Sequence, residues 1–122
     1  MTDEQDATAR NTDDVSEVPH EEWPAWCAKA TSDHIGHEVV LRQADRALGE
    51  VRLAEGQRLV AIEHDVFGKT EAITIKCGSI AVPVSYVVAQ PRSVHQHRDR
   101  AGDIEEFSIV DVTGRHTFIS FG

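Results

Sequence analysis

His95 and His97 stand two residues apart in a segment rich in β-formers, and on a strand that spacing places both imidazoles on one face. Two imidazoles presented together are a common way of offering nitrogen ligands to one metal ion. If the next turn is centred on Ala101-Gly102, His97 lies opposite Glu106 and His95 opposite Ser108, which adds a carboxylate to that face. The metal set to expect is therefore His95, His97 and Glu106, suited to Zn²⁺ or Ni²⁺. The competing reading is a solvated face on which His97 and Glu106 form a cross-strand pair worth about 0.2–1 kcal/mol. Register is decisive, because a slip of one residue carries every side chain to the other face. By the same reasoning, a last turn centred on Thr113-Gly114 sets His116 opposite Asp111. That puts it on the other face with Val94, Phe107, Ile109 and Phe118, outside the metal set.

The other reactive groups form weaker patterns. His34, His37 and Glu38 look like half of a helical zinc motif, but Gly36 interrupts the helix between them. At a helix C-terminus His34 is more simply a partner for the dipole and the last carbonyls. Cys27 and Cys77 form neither a C-x-x-C pair nor a zinc-ribbon pattern, so both are expected as free thiols. Cys27 falls on a buried stripe and Cys77 ends a strand with no base nearby in sequence, which leaves neither activated. Ser79 and Ser85 lack the G-x-S-x-G elbow, and neither G-x-x-x-x-G-K nor G-x-G-x-x-G occurs. These absences point to a non-enzyme without a cofactor.

The element that stands apart from its surroundings is Val18 to Gly36. Trp23, Trp26, Cys27 and Ala30 fall at i, i+3, i+4 and i+7, one stripe of an amphipathic helix that docks on whatever lies beneath. Pro24 suits the first turn, Glu21 and Glu22 suit the positive end of the dipole, and Gly36 suits a left-handed cap. As a pair at helical spacing, Trp23 and Trp26 read as core rather than as the lining of a ligand pocket.

From His37 onward the period is two. Strands are expected over Glu38 to Gln43, about Leu48 to Ala54, Arg58 to Val66, Glu71 to Cys77, Ile80 to Val88, Ser93 to His97, Ile104 to Val110 and His116 to Phe121. Breaks fall at Ala44-Asp45-Arg46, Glu55-Gly56-Gln57, Phe67-Gly68-Lys69-Thr70 and Gly78-Ser79. Pro83 cannot donate to a ladder, so its strand belongs at an edge or a bulge. Connections this short imply antiparallel neighbours. The fold class expected is α+β: one N-terminal amphipathic helix on a seven- to eight-stranded antiparallel meander, either a bent sheet or a small barrel.

Charge divides the chain in two. Residues 1 to 22 hold eight acids against Arg10 alone, which leaves the remaining hundred residues at about −2 of the total −9. Residues 1–17 read as a disordered acidic leader, with 18–122 as one helix-plus-sheet domain. A body without a basic stripe argues against nucleic acid. With no apolar run of signal-peptide or membrane-span length, a soluble cytoplasmic protein is the expectation.

The helix region resembles an uncharacterised bacterial family defined as a domain of unknown function. The shared features are V/I-P-x-x-x-W-P (Val18, Pro19, Trp23, Pro24) and S-x-x-H-x-G (His34 and Gly36, with Ser32 one place from the serine). Val39 and Leu41, Leu59 with Ile62, Pro91 with Val94, and the closing stretches Glu105 to Ile109 and Thr113 to Phe121 are similar as well. The resemblance covers 18–122 and implies one compact domain with no assigned activity. His95 and His97 depart from it. Together these readings favour a non-catalytic interaction or accessory module with a protein partner. The alternative is a metal-binding or small-ligand-binding protein that uses His95, His97 and Glu106 or a cavity under the tryptophan-bearing helix.

Overall fold

From Glu38 onward apolar and polar side chains alternate, and in the computed structural model, which describes residues 14–47 and 49–121, each alternating run is a strand. The strands are β1 (Asp14–Val18), β2 (Glu38–Asp45), β3 (Gly49–Phe67), β4 (Thr70–Gly78), β5 (Pro83–Ala89), β6 (Pro91–Arg98), β7 (Ile104–Asp111) and β8 (His116–Phe121). A short 3-10 turn over His20–Glu22 leads into the one α-helix, α1 (Trp23–His34). Among the described residues the fold is therefore mostly β.

All pairings are antiparallel, in the order β1-β6-β7-β8-β2-β3-β4-β5. The sheet is open, and it is not the single meander expected from the sequence. Two meanders, β2 to β5 and β6 to β8, join where β8 pairs with β2, and β1 adds to the outer side of β6. A single residue, Gln90, separates β5 from β6, although the two strands lie near opposite ends of this order. The sheet must curl for them to meet. At that corner Gln90 has φ 51, its N–H donates to the Glu71 carbonyl at 2.9 Å, and its carbonyl accepts from the Val112 N–H at 3.1 Å.

Two further differences from the sequence reading concern the ends of strands. Residues 14–17, assigned to the leader, belong to β1, where Val15 faces His97 and Glu17 faces His95. The rest of the leader, 1–13, lies outside the described residues. The break expected at Glu55-Gly56-Gln57 is instead the middle of the 19-residue β3. Gln57 pairs with Val39 and Glu55 with Val40, so Gly56 is the extra residue of a β-bulge, at φ 71. The ladder resumes on either side of it.

The core fills the concave side. Val39, Leu41, Leu59, Ile62, Ile73, Ile75, Val94, Phe107, Ile109 and Ile119 are buried there, and the helix adds Trp23, Trp26, Cys27 and Ala30, the four positions expected of its stripe. Burying the large side chains is worth about 1.5–3 kcal/mol each. Three contacts aim the helix. Trp23 Nε1 donates to the Val18 carbonyl at 3.1 Å; Thr31 Oγ1 accepts from Ile62 N–H at 2.8 Å and lies 3.1 Å from its carbonyl; and beyond Gly36 (φ 86) the chain pairs with Leu59. The helix is thus stapled to β3 between Leu59 and Ile62, where the β3–β4 register shifts and the ladder alone would leave backbone groups unmatched.

Candidate functional site

The convex face of β6, β7, β8 and β2 carries the expected metal ligands. His95 pairs with Ser108 and His97 with Glu106, the register read from the sequence. The route to it differs, however. Asp99 Oδ1 accepts from the N–H groups of Ala101 (2.9 Å) and Asp103 (3.0 Å), closing a three-residue loop with Gly102 at φ 90, and a bulge between His97 and Arg98 then restores the register. The β7–β8 turn is built alike. There Asp111 Oδ1 accepts from the Thr113 and Arg115 N–H groups at 2.9 and 3.1 Å. Burial pushes the Asp111 carboxyl up, but hydrogen bonds from the Thr113 hydroxyl first and then from these N–H groups, with the Arg115 charge, outweigh it and hold it below its ordinary value. No bulge follows this turn, so His116 pairs with Val110 and not with Asp111.

That single step overturns the expected placement of His116. His116 and Phe118 lie on the convex face with His95 and His97, while Val94, Phe107 and Ile109 point into the core. The two rings stack at 5.7 Å between centroids, and the Arg42 guanidinium sits 4.7 Å over Phe118. The histidine–carboxylate set shares a face without converging. Glu106 Oε2 accepts from Arg42 Nη2 at 2.5 Å and from Ser120 Oγ at 2.6 Å, and Arg42 also pairs with Glu50. His97 Nε2 is 3.2 Å from Ser108 Oγ, and His95 Nε2 is 3.9 Å from Glu17 Oε1 on β1. Among the described residues no group of three or more His, Cys, Asp or Glu is placed to hold a metal ion. An open cleft of about 530 Å³ lies beside Arg42, lined by Val40, Glu50, Arg52 and Ser120; Arg42 pairs with Glu50 within it, and Arg52 pairs with Glu55 outside its lining.

His20, Glu71 and His64 form a second polar cluster, which sequence reasoning did not find. Both Nε2 atoms converge on Glu71 Oε2, at 2.8 and 2.7 Å. Trp23 lies edge-on to both rings, with centroids 4.5 Å from His20 and 6.1 Å from His64. His64 and Glu71 lie seven positions apart across the β3–β4 hairpin, but His20 comes from the turn before α1, 51 positions from Glu71, so no local spacing signals the full cluster. Their work is to tie the start of the helix to the β3–β4 ladder.

Neither thiol is activated. Cys27 and Cys77 are free and buried. Burial pushes the Cys27 thiol up to about 12, aided by Asp65 and Glu63, and pushes Cys77 up to about 11. His34 was expected at the helix C-terminus as a partner for the dipole and the last carbonyls, and it ends α1. It stacks on Phe121 at 4.1 Å, and burial first, with the neighbouring His37 second, holds its pKa below the ordinary 6.5.

Two features of the surface bear most directly on binding. One is a cavity of about 280 Å³ between α1 and the β6–β7 hairpin, walled by Trp26, Ala30, His34, Ile104 and Phe107. The other is the edge of β5, with no strand beyond it. No charged residue and no histidine occurs from Gly78 to Pro91, and Val84 and Val87 are 51% and 58% exposed. Ile80 and Val82, on the approach to that strand, are 77% and 78% exposed. No helix among the described residues is long and apolar enough to cross a membrane. No family model, curated protein or solved structure matches this chain.

Proposed function

We propose that this protein is a non-catalytic interaction module whose working surface is the free edge of β5, which receives an extended, uncharged segment of a partner chain. The observation that supports this most is the contrast between the two edges of one sheet. β1, at one end, carries Asp14 and Glu17, charges of the kind that keep an exposed ladder from pairing with strangers. β5, at the other end, has only Pro83 at its first residue, and after it an uncharged strand with half-exposed valines. A strand laid against β5 gains main-chain hydrogen bonds along up to seven residues. Its inward side chains continue the layer of Val84, Tyr86 and Val88, and its outward ones lie beside Ser85 and Val87. A charge in such a segment would lose water without gaining a partner, which favours uncharged, β-branched sequences. The buried, unactivated thiols fit a protein that works by contact.

The reading is tested by calorimetric titration with an acetylated, amidated heptapeptide of alternating Thr and Val, beside a control with Glu in place of Thr. Binding of the first alone, lost in Val84→Lys and in Val87→Lys, is the expected result. Equal binding by both variants would contradict it. If the wild-type protein is instead a dimer that Val84→Lys dissociates, the partner is a second copy, with Val84 facing Val88 across a twofold axis at Tyr86.

A further inference from the structure

Ala44 pairs with His116 where β2 and β8 meet, so the turns that leave β2 and enter β8 lie side by side at one end of the sheet. They share the walls of an open cleft of about 730 Å³, within the range of about 300–1,000 Å³ for small-molecule sites. Small residues, Ala44, Ala47 and Gly114, leave it open, and Arg46, Arg115 and His116 border it. Arg46 is exposed, and among the described residues its guanidinium meets no hydrogen-bond or ion-pair partner. Arg115 gives Nε to Asp45 Oδ2 at 3.3 Å, a contact in which neither Nη group takes part. The backbone that carries Arg115 is held as well, because its N–H, the Thr113 N–H and the Thr113 hydroxyl all donate to Asp111 Oδ1. His116 follows, with an exposed ring stacked on Phe118.

Charge and hydrogen bonding together select the ligand. The acids at this end are already engaged: Asp45 with Arg115, Asp111 with its own loop, and Glu50, opposite Ala44 on β3, with Arg42. What stays open to solvent is donor capacity, on two guanidinium forks whose geometry matches the oxygens of a phosphate or a carboxylate. A phosphate monoester carries about −1.5 to −2 charges at pH 7 and three acceptor oxygens, so it answers both forks, whereas a carboxylate answers one. Two forks at one cleft, with no basic stripe leading from it, suit a single phosphate group and not a nucleic-acid backbone. We infer that this cleft binds a small phosphomonoester, its phosphate held between Arg46 and Arg115 beside His116, and its organic part over Ala44 and Ala47. No residue of the cleft belongs to β5, so this site is independent of the edge-strand reading.

The test uses the full chain and phenyl phosphate as probe at pH 7 and constant ionic strength, with phenol and benzoate as comparisons. Binding is read from a nitrogen–proton correlation spectrum. The expected result is a saturable shift of the Ala47, Gly114 and Arg115 amide signals with phenyl phosphate, a weaker response to benzoate and none to phenol. Arg46→Gln removes a guanidinium that has no partner among the described residues, so the fold should keep its spectrum while binding weakens about tenfold. Arg52→Gln removes the same charge from the neighbouring cleft and should leave binding unchanged. Signals unmoved by millimolar phenyl phosphate would overturn the inference, and so would benzoate binding as tightly as the phosphate. Equal weakening in Arg46→Gln and Arg52→Gln would overturn it too, because general charge and not this cleft would then be responsible.

Discussion

At the scale of single residues, one oxygen joins three parts of the chain: Glu71 Oε2 holds Nε2 of both His20 and His64. A carboxylate only accepts, so each ring must present an Nε2–H to it. Burial pushes the Glu71 carboxyl up, but the hydrogen bonds from His64 and then His20, with their charges, outweigh it and leave the pKa below the ordinary 4.5. A group with a depressed folded pKa contributes stability that is full above its unfolded value and is lost as the pH falls through the folded one. Glu71→Gln should therefore be less stable than wild type at pH 7 and should lose less on acidification below about 4.5, as read from urea unfolding midpoints across that range. Parallel acid limbs in the two proteins would show that the cluster does not report on folding. Local spacing carries no trace of this contact, because His20 and Glu71 are 51 positions apart.

At the scale of elements, the chain was legible where periodicity and turn chemistry agree. The helix stripe and most strand positions follow from the period of apolar residues, and Pro83 marks an edge strand as its missing N–H requires. What misled was glycine. Gly56 reads as a turn, yet it supplies the left-handed residue of a bulge inside β3, where a Cβ would meet nothing within 4 Å. Substitution there is thus a backbone question alone, and Gly56→Ala should cost about 1–2 kcal/mol in denaturant unfolding. An unchanged midpoint would mean that the ladder can close without the bulge. The histidine face shows the same limit. Both Asp-led loops hold three residues where two were assumed; a bulge corrected the error for His97 and none did for His116, so half of the expected face was right and half inverted.

At the scale of the whole molecule, the order of strands was beyond reach. Short connections predict antiparallel neighbours, but pairing of β8 with β2 and of β1 with β6 depends on packing across the entire sheet. That packing makes β1 and β5 the two edges, one bearing acids and the other uncharged. The central claim is that the uncharged edge is the one used. Amide hydrogen exchange, with and without the uncharged Thr/Val heptapeptide, tests it most directly. Added protection confined to Val84–Ala89 is the predicted result, and protection that falls on Asp14–Val18, or nowhere, would contradict it.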